Sequence, residues 1–343
     1  MFSAAAAPAT SPRGLDGGQF VLELTDVRAT TTVDGRPCNI LDGVSFSLRA
    51  GQMLGIVGES GCGKSMTALA IMGLLPQPQV TISSGSIGFL GEELVGLPES
   101  QLRLRRGAQM AMIFQEPTAS LNPVRTIGDQ VMEAIRAHQP MPKKRAREIG
   151  LELLDRVRIR DPRHTFNDYP HRMSGGMCQR VSIAMALAAQ PRLLIADEPT
   201  TALDVSVQAQ ILELLATLQH EEDLAVLLIS HDLGVVAGYA DEVAVMYAGK
   251  IVEQADVDVL FAVPKHPYTI GLMRAAPRLS SRRAVERLME IPGTVPALGA
   301  RPAGCAFVTR CSTAIAGCAD IVPKLDATEV GHKVACLLHS RVQ

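Results

Sequence analysis

Residues 58 to 65 read Gly-Glu-Ser-Gly-Cys-Gly-Lys-Ser, the G-x-x-x-x-G-K-S spacing of a loop that wraps phosphate groups. Gly58, Gly61 and Gly63 let successive backbone N–H groups turn toward one point, with no Cβ to block incoming oxygens. A helix starting near Lys64 adds its positive dipole end at the same spot. Lys64 is long enough to reach β- and γ-phosphates, and the Ser65 hydroxyl suits Mg²⁺. Glu59, Ser60, Cys62 and the following Met66 complete the expected nucleotide-binding stretch. The loop's donors and nearby Lys64 also predict a lowered thiol pKa for Cys62.

Three other places could do chemistry with a bound phosphate. The apolar run Leu193-Leu-Ile-Ala ends in Asp197-Glu198. Neighbouring strand-end positions point differently, so the two carboxylates can divide the work, Asp197 binding Mg²⁺ and Glu198 polarising the attacking water. Alone such a pair is as readily a solvated strand end; downstream of a phosphate loop it gains weight. Ser174-Gly175-Gly176-Met177 opens an apolar helical run and offers free N–H groups and a hydroxyl, either a second anion site or only an N-cap. His231 follows the apolar Ala225–Ile229 and Ser230, where an imidazole at a strand's carboxyl end can contact a γ-phosphate.

The elements that must position these residues can be read from periodicity. Met53–Val57 is a short apolar run suited to a buried parallel strand, and Met66–Met72 contains no helix breaker. Phe20–Leu24 and Val44–Leu48 alternate like two short antiparallel strands, with turn signals at Asp34-Gly35 and Asp42-Gly43. Ser84–Gly91 predicts an edge strand and turn, and Met110–Phe114 a buried strand ending at Gln115. Asp129–His138 and Lys144–Val157 are amphipathic and bounded by prolines, which predicts a helical insertion over about 118–189. Strand Arg192–Asp197, helix Val207–Gln219 and strand Ala225–Ile229 restore the alternation of a wound α/β sheet, and Val243–Tyr247 with Gly249–Glu253 reads as a closing hairpin. Past about residue 258 prolines and glycines become frequent and the core pattern stops.

Composition narrows the function. The 343 residues exceed one compact core and fit a main domain with an appendage. Charge is balanced, at 33 basic against 35 acidic residues, and aromatics make up 3%, so a nucleic-acid partner is not expected. No apolar stretch is long enough to span a bilayer. Residues 1–18 are rich in Ala, Pro and Gly and read as a disordered leader rather than a signal peptide.

Taken in order over residues 20–255, the motifs resemble the ATP-binding cassette (ABC) superfamily. Gly58–Ser65 is similar to its Walker A loop, Gln115 to the Q-loop, Ser174–Met177 to the signature loop, Leu193–Asp197 with Glu198 to Walker B and the catalytic glutamate, Ala202-Leu203-Asp204 to the D-loop, and His231 to the switch histidine. The resemblance implies an α/β P-loop NTPase cassette at 19–257: a RecA-like core, an antiparallel β-subdomain and a helical subdomain. It also implies ATP, Mg²⁺ held by Ser65, Gln115 and Asp197, and a head-to-tail dimer that sandwiches each ATP between one Walker A and the other chain's signature loop.

Gln115-Glu-Pro-Thr-Ala-Ser-Leu-Asn-Pro123, Tyr169-Pro-His171, Thr200–Val205, His266-Pro-Tyr-Thr269, Ile291-Pro-Gly-Thr-Val-Pro296 and Gly304-Cys305 are similar to the dipeptide/oligopeptide importer branch, whose pattern nickel importers largely share. That branch implies a related second cassette as heterodimer partner, two transmembrane permease subunits, an extracytoplasmic binding protein, and a peripheral position on the cytoplasmic face of the inner membrane. Three positions depart from the family. Ala29 or Thr30 falls where many cassettes stack an aromatic on adenine, Cys178 replaces a basic residue, and Arg172 a Glu.

The extension, 258–343, carries Cys305, Cys311, Cys318 and Cys336 in a Pro/Gly-rich stretch with little core of its own, which suggests a metal staple. Its spacing lacks the tight C-x₂₋₄-C knuckle of structural zinc and favours a [4Fe–4S] cluster, with Zn²⁺ as the alternative. Some members of the importer branch resemble this pattern and carry such a cluster. The expected function is therefore an ATPase that powers import of di- or oligopeptides. A nickel or other small-solute importer is the alternative within the branch. A soluble ABC ATPase acting on nucleic acid is the alternative from another class, but neither long coiled coils nor zinc modules are visible.

Overall fold

A computed structural model of the chain describes residues 20–116, 120–201, 203–275 and 290–339. The expected leader 1–18 lies outside them, as do Pro117–Ala119 of the Gln115–Pro123 motif and Ala202 of the D-loop. In chain order the strands are β1 (Phe20–Val33), β2 (Arg36–Arg49), β3 (Met53–Val57), β4 (Val80–Phe89), β5 (Glu92–Glu93) and β6 (Met110–Ile113). They continue with β7 (Leu193–Asp197), β8 (Ala225–Ser230), β9 (Glu242–Tyr247), β10 (Lys250–Asp256), β11 (Asp326–Glu329) and β12 (His332–Val334).

These strands form two sheets. The larger runs β11-β12-β10-β9-β3-β8-β7-β6, with β3, β6, β7, β8 and β9 parallel. All residues of β3, β7 and β8 are buried, which accounts for their unbroken apolar runs: one face packs on helices and the other on the antiparallel sheet and the helix after the phosphate loop, so no alternation survives. The smaller sheet is antiparallel, β2-β1-β4-β5. Its first hairpin is far longer than the two short strands expected, and turns at Asp34-Gly35, both with positive φ, the conformation a tight two-residue hairpin turn requires. The Ser84–Gly91 strand is not an edge; β4 lies between β1 and β5.

The helical insertion forms as expected. Helices Ile127–His138, Lys143–Arg156 and Gly175–Ala186 bury Val131, Ile135, Leu153, Leu154 and Val181 together. Thr126 caps the first by accepting from the Asp129 N–H at 3.2 Å.

Past residue 258 the core does not stop. Tyr268 and Phe307 are buried in the same hydrophobic cluster as β8 and β9, and β12 pairs antiparallel with β10. The join is held by a buried carboxylate, since Glu253 of β10 accepts from the N–H groups of Lys265 (2.7 Å) and His266 (3.0 Å) and pairs with His332 Nε2 at 2.8 Å. Leaving a buried polar group without its partner typically costs about 1–3 kcal/mol, so these contacts fasten the extension to the sheet.

Candidate nucleotide-binding site

The phosphate loop joins β3 to the helix Lys64–Ile71. A Cβ at Gly58 would lie 2.2 Å from the Met246 carbonyl oxygen, and Gly63, at φ +111°, occupies the left-handed region, so neither position admits a side chain without displacement. Lys64 is buried, and its Nζ donates to the carbonyls of Gly58 (2.8 Å) and Glu59 (3.2 Å). Ser65 Oγ donates to Asp197 Oδ1 at 3.1 Å, which brings the two expected Mg²⁺ ligands from loop and strand end into contact. Burial raises the Asp197 carboxyl pKa and Glu198 adds to it, against the opposing pull of the Ser65 bond and Lys64.

Glu198 leaves the strand at φ +47° while its N–H bonds the Ile229 carbonyl at 3.0 Å. This left-handed step separates the two consecutive carboxylates, which meet different partners. Glu198 Oε2 accepts from Gln115 Nε2 (2.9 Å) and Thr201 Oγ1 (2.9 Å), and His231 Nδ1 lies 3.4 Å away. Gln115, Glu198 and His231, spread over more than a hundred positions of sequence, thus converge on one oxygen. Thr201 lies in the Thr200–Val205 motif, but the sequence gives it no role at the site; its signal is a hydroxyl three residues after the glutamate.

The thiol expectation for Cys62 is overturned. Cys62 is buried, and the loss of solvent raises its pKa more than Lys64 and the loop N–H groups lower it. Cys178 likewise does not face an anion site: it is fully buried, and its thiol points to the Pro170 carbonyl at 3.7 Å. Arg172, exposed, pairs with Asp168 at 3.3 Å. Ala29 is buried within β1, and the Thr30 hydroxyl is bonded to Asn39 and Ser83, so neither offers a face to a base.

Ser174 caps the helix Gly175–Ala186, its Oγ accepting from the Met177 N–H at 3.3 Å. Gly176 also has a packing duty, because a Cβ there would come 2.6 Å from Val207. Asp204 caps the helix Val205–Glu222, accepting from Val207 N–H (3.0 Å) and Ser206 Oγ (2.6 Å), and these bonds lower its carboxyl pKa. Among the described residues no hydrogen bond or ion pair links Ser174–Met177 or Asp204 to Gly58–Ser65.

Cys305, Cys311, Cys318 and Cys336 line one small cavity together with His266 and Phe307. None is in a disulfide, and burial raises the thiol pKa values of Cys305 and Cys336, the neighbouring cysteines adding to it. The expected metal centre is not assembled, however: among the described residues no group of three or more His, Cys, Asp or Glu side chains is placed to hold a metal ion.

Residues 41–201 match the family described as ABC transporter, and residues 252–318 match the oligopeptide/dipeptide transporter C-terminal region. A probable peptide ABC transporter ATP-binding protein of Sinorhizobium fredii is 53% identical over 318 residues, covering 92% of this chain and 94% of that protein. A putative peptide import ATP-binding protein of Brucella abortus is 48% identical over 308 residues, covering 90% and 92%. Among solved structures, the ATP-binding cassette MJ0796, a dimer bound to ADP and Pi, superposes with a TM-score of 0.62 at 26% identity, over 69% of this chain and 98% of that one. CbiO1 of Clostridium perfringens, part of an ABC transporter complex, gives 0.61 at 26% identity, over 71% and 91%. The chain belongs to the ATP-hydrolysing, ATP-binding subunits of ABC transporters, in the branch that carries the oligopeptide/dipeptide transporter C-terminal region.

Proposed function

We propose that this ATPase powers the import of di- or oligopeptides, with Glu198 as the group that activates water. The convergence of Gln115, Thr201 and His231 on the Glu198 carboxylate, beside the Ser65–Asp197 pair, carries the reading. Gly58–Ser65 and Met66 bind the phosphates, with Lys64 leaving its carbonyl partners for the β- and γ-oxygens. Bound Mg²⁺ would neutralise charge building on the phosphates; Ser65, Asp197 and Gln115 supply oxygens suited to it. Glu198 takes a proton from the attacking water, and His231 contacts the γ-phosphate. Ser174, Gly175, Met177 and Asp204 are exposed or half-buried, which suits a role toward the nucleotide of a second, related cassette, while Gly176 is buried. The working division is a cassette over 19–257 and an extension over 258–343.

The extracytoplasmic binding protein and two permease subunits follow from importer membership. No helix among the described residues is long and apolar enough to cross a membrane, and the chain attaches through its permeases at the cytoplasmic face of the inner membrane. An apolar groove lined by Leu74, Met112, Phe114, Ala134 and Met185 opens between sheet and helical subdomain, beside Gln115. A permease segment seated there would bear on the residue that bonds Glu198. The four tail cysteines, which as placed do not form a metal site, would have to draw closer together to hold a [4Fe–4S] cluster, with zinc as the alternative. What favours this is the meeting of four soft donors at one cavity.

The test is to isolate the chain with its permeases and binding protein and identify what the binding protein retains. Peptides are expected; nickel or another small solute would refute the substrate, and absence of any permease would refute the importer.

A further inference from the structure

The extension grips the phosphate loop. The Glu59 N–H donates to the Tyr268 hydroxyl at 2.8 Å, and Arg310 Nη1 donates to Glu59 Oε2 at 3.0 Å. Both partners are buried: Tyr268 is fully enclosed and the Arg310 side chain is 4% exposed. From its other side the Glu59 carbonyl accepts from Lys64 Nζ at 3.2 Å and from the Cys62 N–H at 3.3 Å. One residue of the loop, Glu59, therefore stands between the extension and the lysine that meets phosphate.

Arg310 is fixed by more than Glu59. Its Nε donates to the Pro292 carbonyl at 2.9 Å, Nη2 to the Ile291 carbonyl at 3.3 Å, and Nη1 also approaches the Tyr247 hydroxyl at 3.4 Å. Beside it Tyr268, Tyr247 and Phe307 pack on one another in tilted and edge-to-face contacts, with ring centroids 4.7 to 5.4 Å apart. Three sequence motifs without a duty in the cassette thus meet at one point: His266–Thr269 supplies Tyr268, Ile291–Pro296 supplies two carbonyls, and the stretch after Gly304-Cys305 supplies Phe307 and Arg310. A second contact supports the same loop. Gly249 N–H donates to the Cys62 carbonyl at 2.7 Å, and Arg301 packs so closely on Gly249 that a Cβ there would lie 3.1 Å from its guanidinium.

We propose that Tyr268 and Arg310 are positioning residues for the phosphate loop, holding Glu59 by main chain and side chain so that the extension sets the loop's affinity for nucleotide. The proposal rests on the reading of Gly58–Ser65 as the ATP-phosphate site. A fixed loop presents its N–H groups and Lys64 in the geometry the phosphates need; a loose one must be ordered on binding, which weakens affinity. Arg310 has a second effect. The other Glu59 oxygen, Oε1, is buried without a hydrogen-bond partner, so loss of Arg310 leaves the carboxylate with no cation beside the anionic ligand.

The experiment uses the full-length chain. MgATP affinity is titrated with a fluorescent ATP analogue for Arg310→Ala, Arg310→Lys, Tyr268→Phe, Glu59→Gln, the Arg310→Ala/Glu59→Gln double variant and Lys64→Ala, with thermal midpoints alongside. KM and kcat are measured in the assembled transporter. Arg310→Ala should weaken MgATP binding about tenfold, within the range typical of coupled sites, and raise KM more than it lowers kcat. Glu59→Gln removes the unpaired charge, so the double variant should bind better than Arg310→Ala alone. Tyr268→Phe, which deletes one oxygen, should weaken binding less, and Arg310→Lys should recover part of the loss. Unchanged MgATP affinity in Arg310→Ala and Tyr268→Phe, or additive losses in the double variant, would overturn the proposal. Should Arg310→Ala not fold, Arg310→Lys and Tyr268→Phe decide it by the same criterion. Lys64→Ala separates the two readings: if it binds MgATP normally, the phosphate-site assignment itself falls and the proposal with it, whereas loss of binding there with intact binding in the other variants removes the proposal alone.

Discussion

Glu198→Gln isolates the chemical step. Glutamine matches glutamate in size, and its carbonyl oxygen can still accept from Gln115 Nε2 and Thr201 Oγ1, each 2.9 Å from the native carboxylate. The φ of +47° is equally costly for either residue, so the backbone turn should survive. Lys64 and the Ser65–Asp197 pair, the groups assigned to ground-state phosphate and Mg²⁺, are untouched. The change therefore removes the base while leaving binding alone. Loss of a general base lowers the rate about 10²–10⁴-fold, which corresponds to about 3–5 kcal/mol of barrier. The assay is phosphate release by the assembled transporter, in single and multiple turnover, with MgATP affinity measured in parallel. The expected result is near-native affinity with turnover down by at least about a hundredfold. Turnover within a few-fold of the unmodified protein would remove Glu198 from the role and leave Gln115, Thr201 and His231 gathered on a carboxylate without chemical purpose.

The isolated chain should hydrolyse ATP poorly and gain turnover on mixing with its second cassette and permeases; full activity as a dilute monomer would contradict a shared site. Cys62, buried with a raised thiol pKa, should resist maleimide at neutral pH with or without MgATP; rapid labelling would contradict the burial. His266 is kept neutral by burial, its pKa pushed down from 6.5 to about 3, so between those values the unfolded chain holds a proton the folded chain refuses. Stability should then fall on acidification below about pH 6.5, by at most about 1.4 kcal/mol per pH unit, and urea midpoints of His266→Gln should lose part of that slope; an unchanged slope would count against it. Protein purified without oxygen should contain iron and sulfide bound through the tail cysteines and lose both in Cys311→Ser, while zinc would select the alternative and no metal at all would end the assignment.

The candidate site residues are legible in the sequence because each is marked by local chemistry: a glycine pattern, an apolar run ending in two carboxylates, a histidine after a buried strand. The sequence could not tell which atoms meet. The Glu198 oxygen shared by Gln115, Thr201 and His231 depends on a left-handed residue after β7 that no propensity specifies for glutamate. For Cys62 the expectation fails because loop donors are visible in a sequence and burial is not. The extension looks coreless in the sequence because its contribution is scattered. Tyr268 and Phe307 stand 39 positions apart, β12 is three residues long, and its anchor Glu253 is a carboxylic side chain inside a strand, where sequence reasoning expects an apolar one. Short strands and buried ion pairs leave almost no periodic signal, so the part of the chain that touches the phosphate loop from behind looked like a separate appendage.

ATP-driven peptide uptake is the most direct test of the central claim. The chain, its second cassette and both permeases would be reconstituted in proteoliposomes with the binding protein and labelled peptide on the side opposite the cassettes, and uptake followed with and without MgATP. Uptake that requires MgATP and is abolished by Lys64→Ala and by Glu198→Gln is the expected result. Peptide uptake that proceeds equally with Lys64→Ala, or ATP hydrolysis that runs at full rate with no peptide moved, would contradict it.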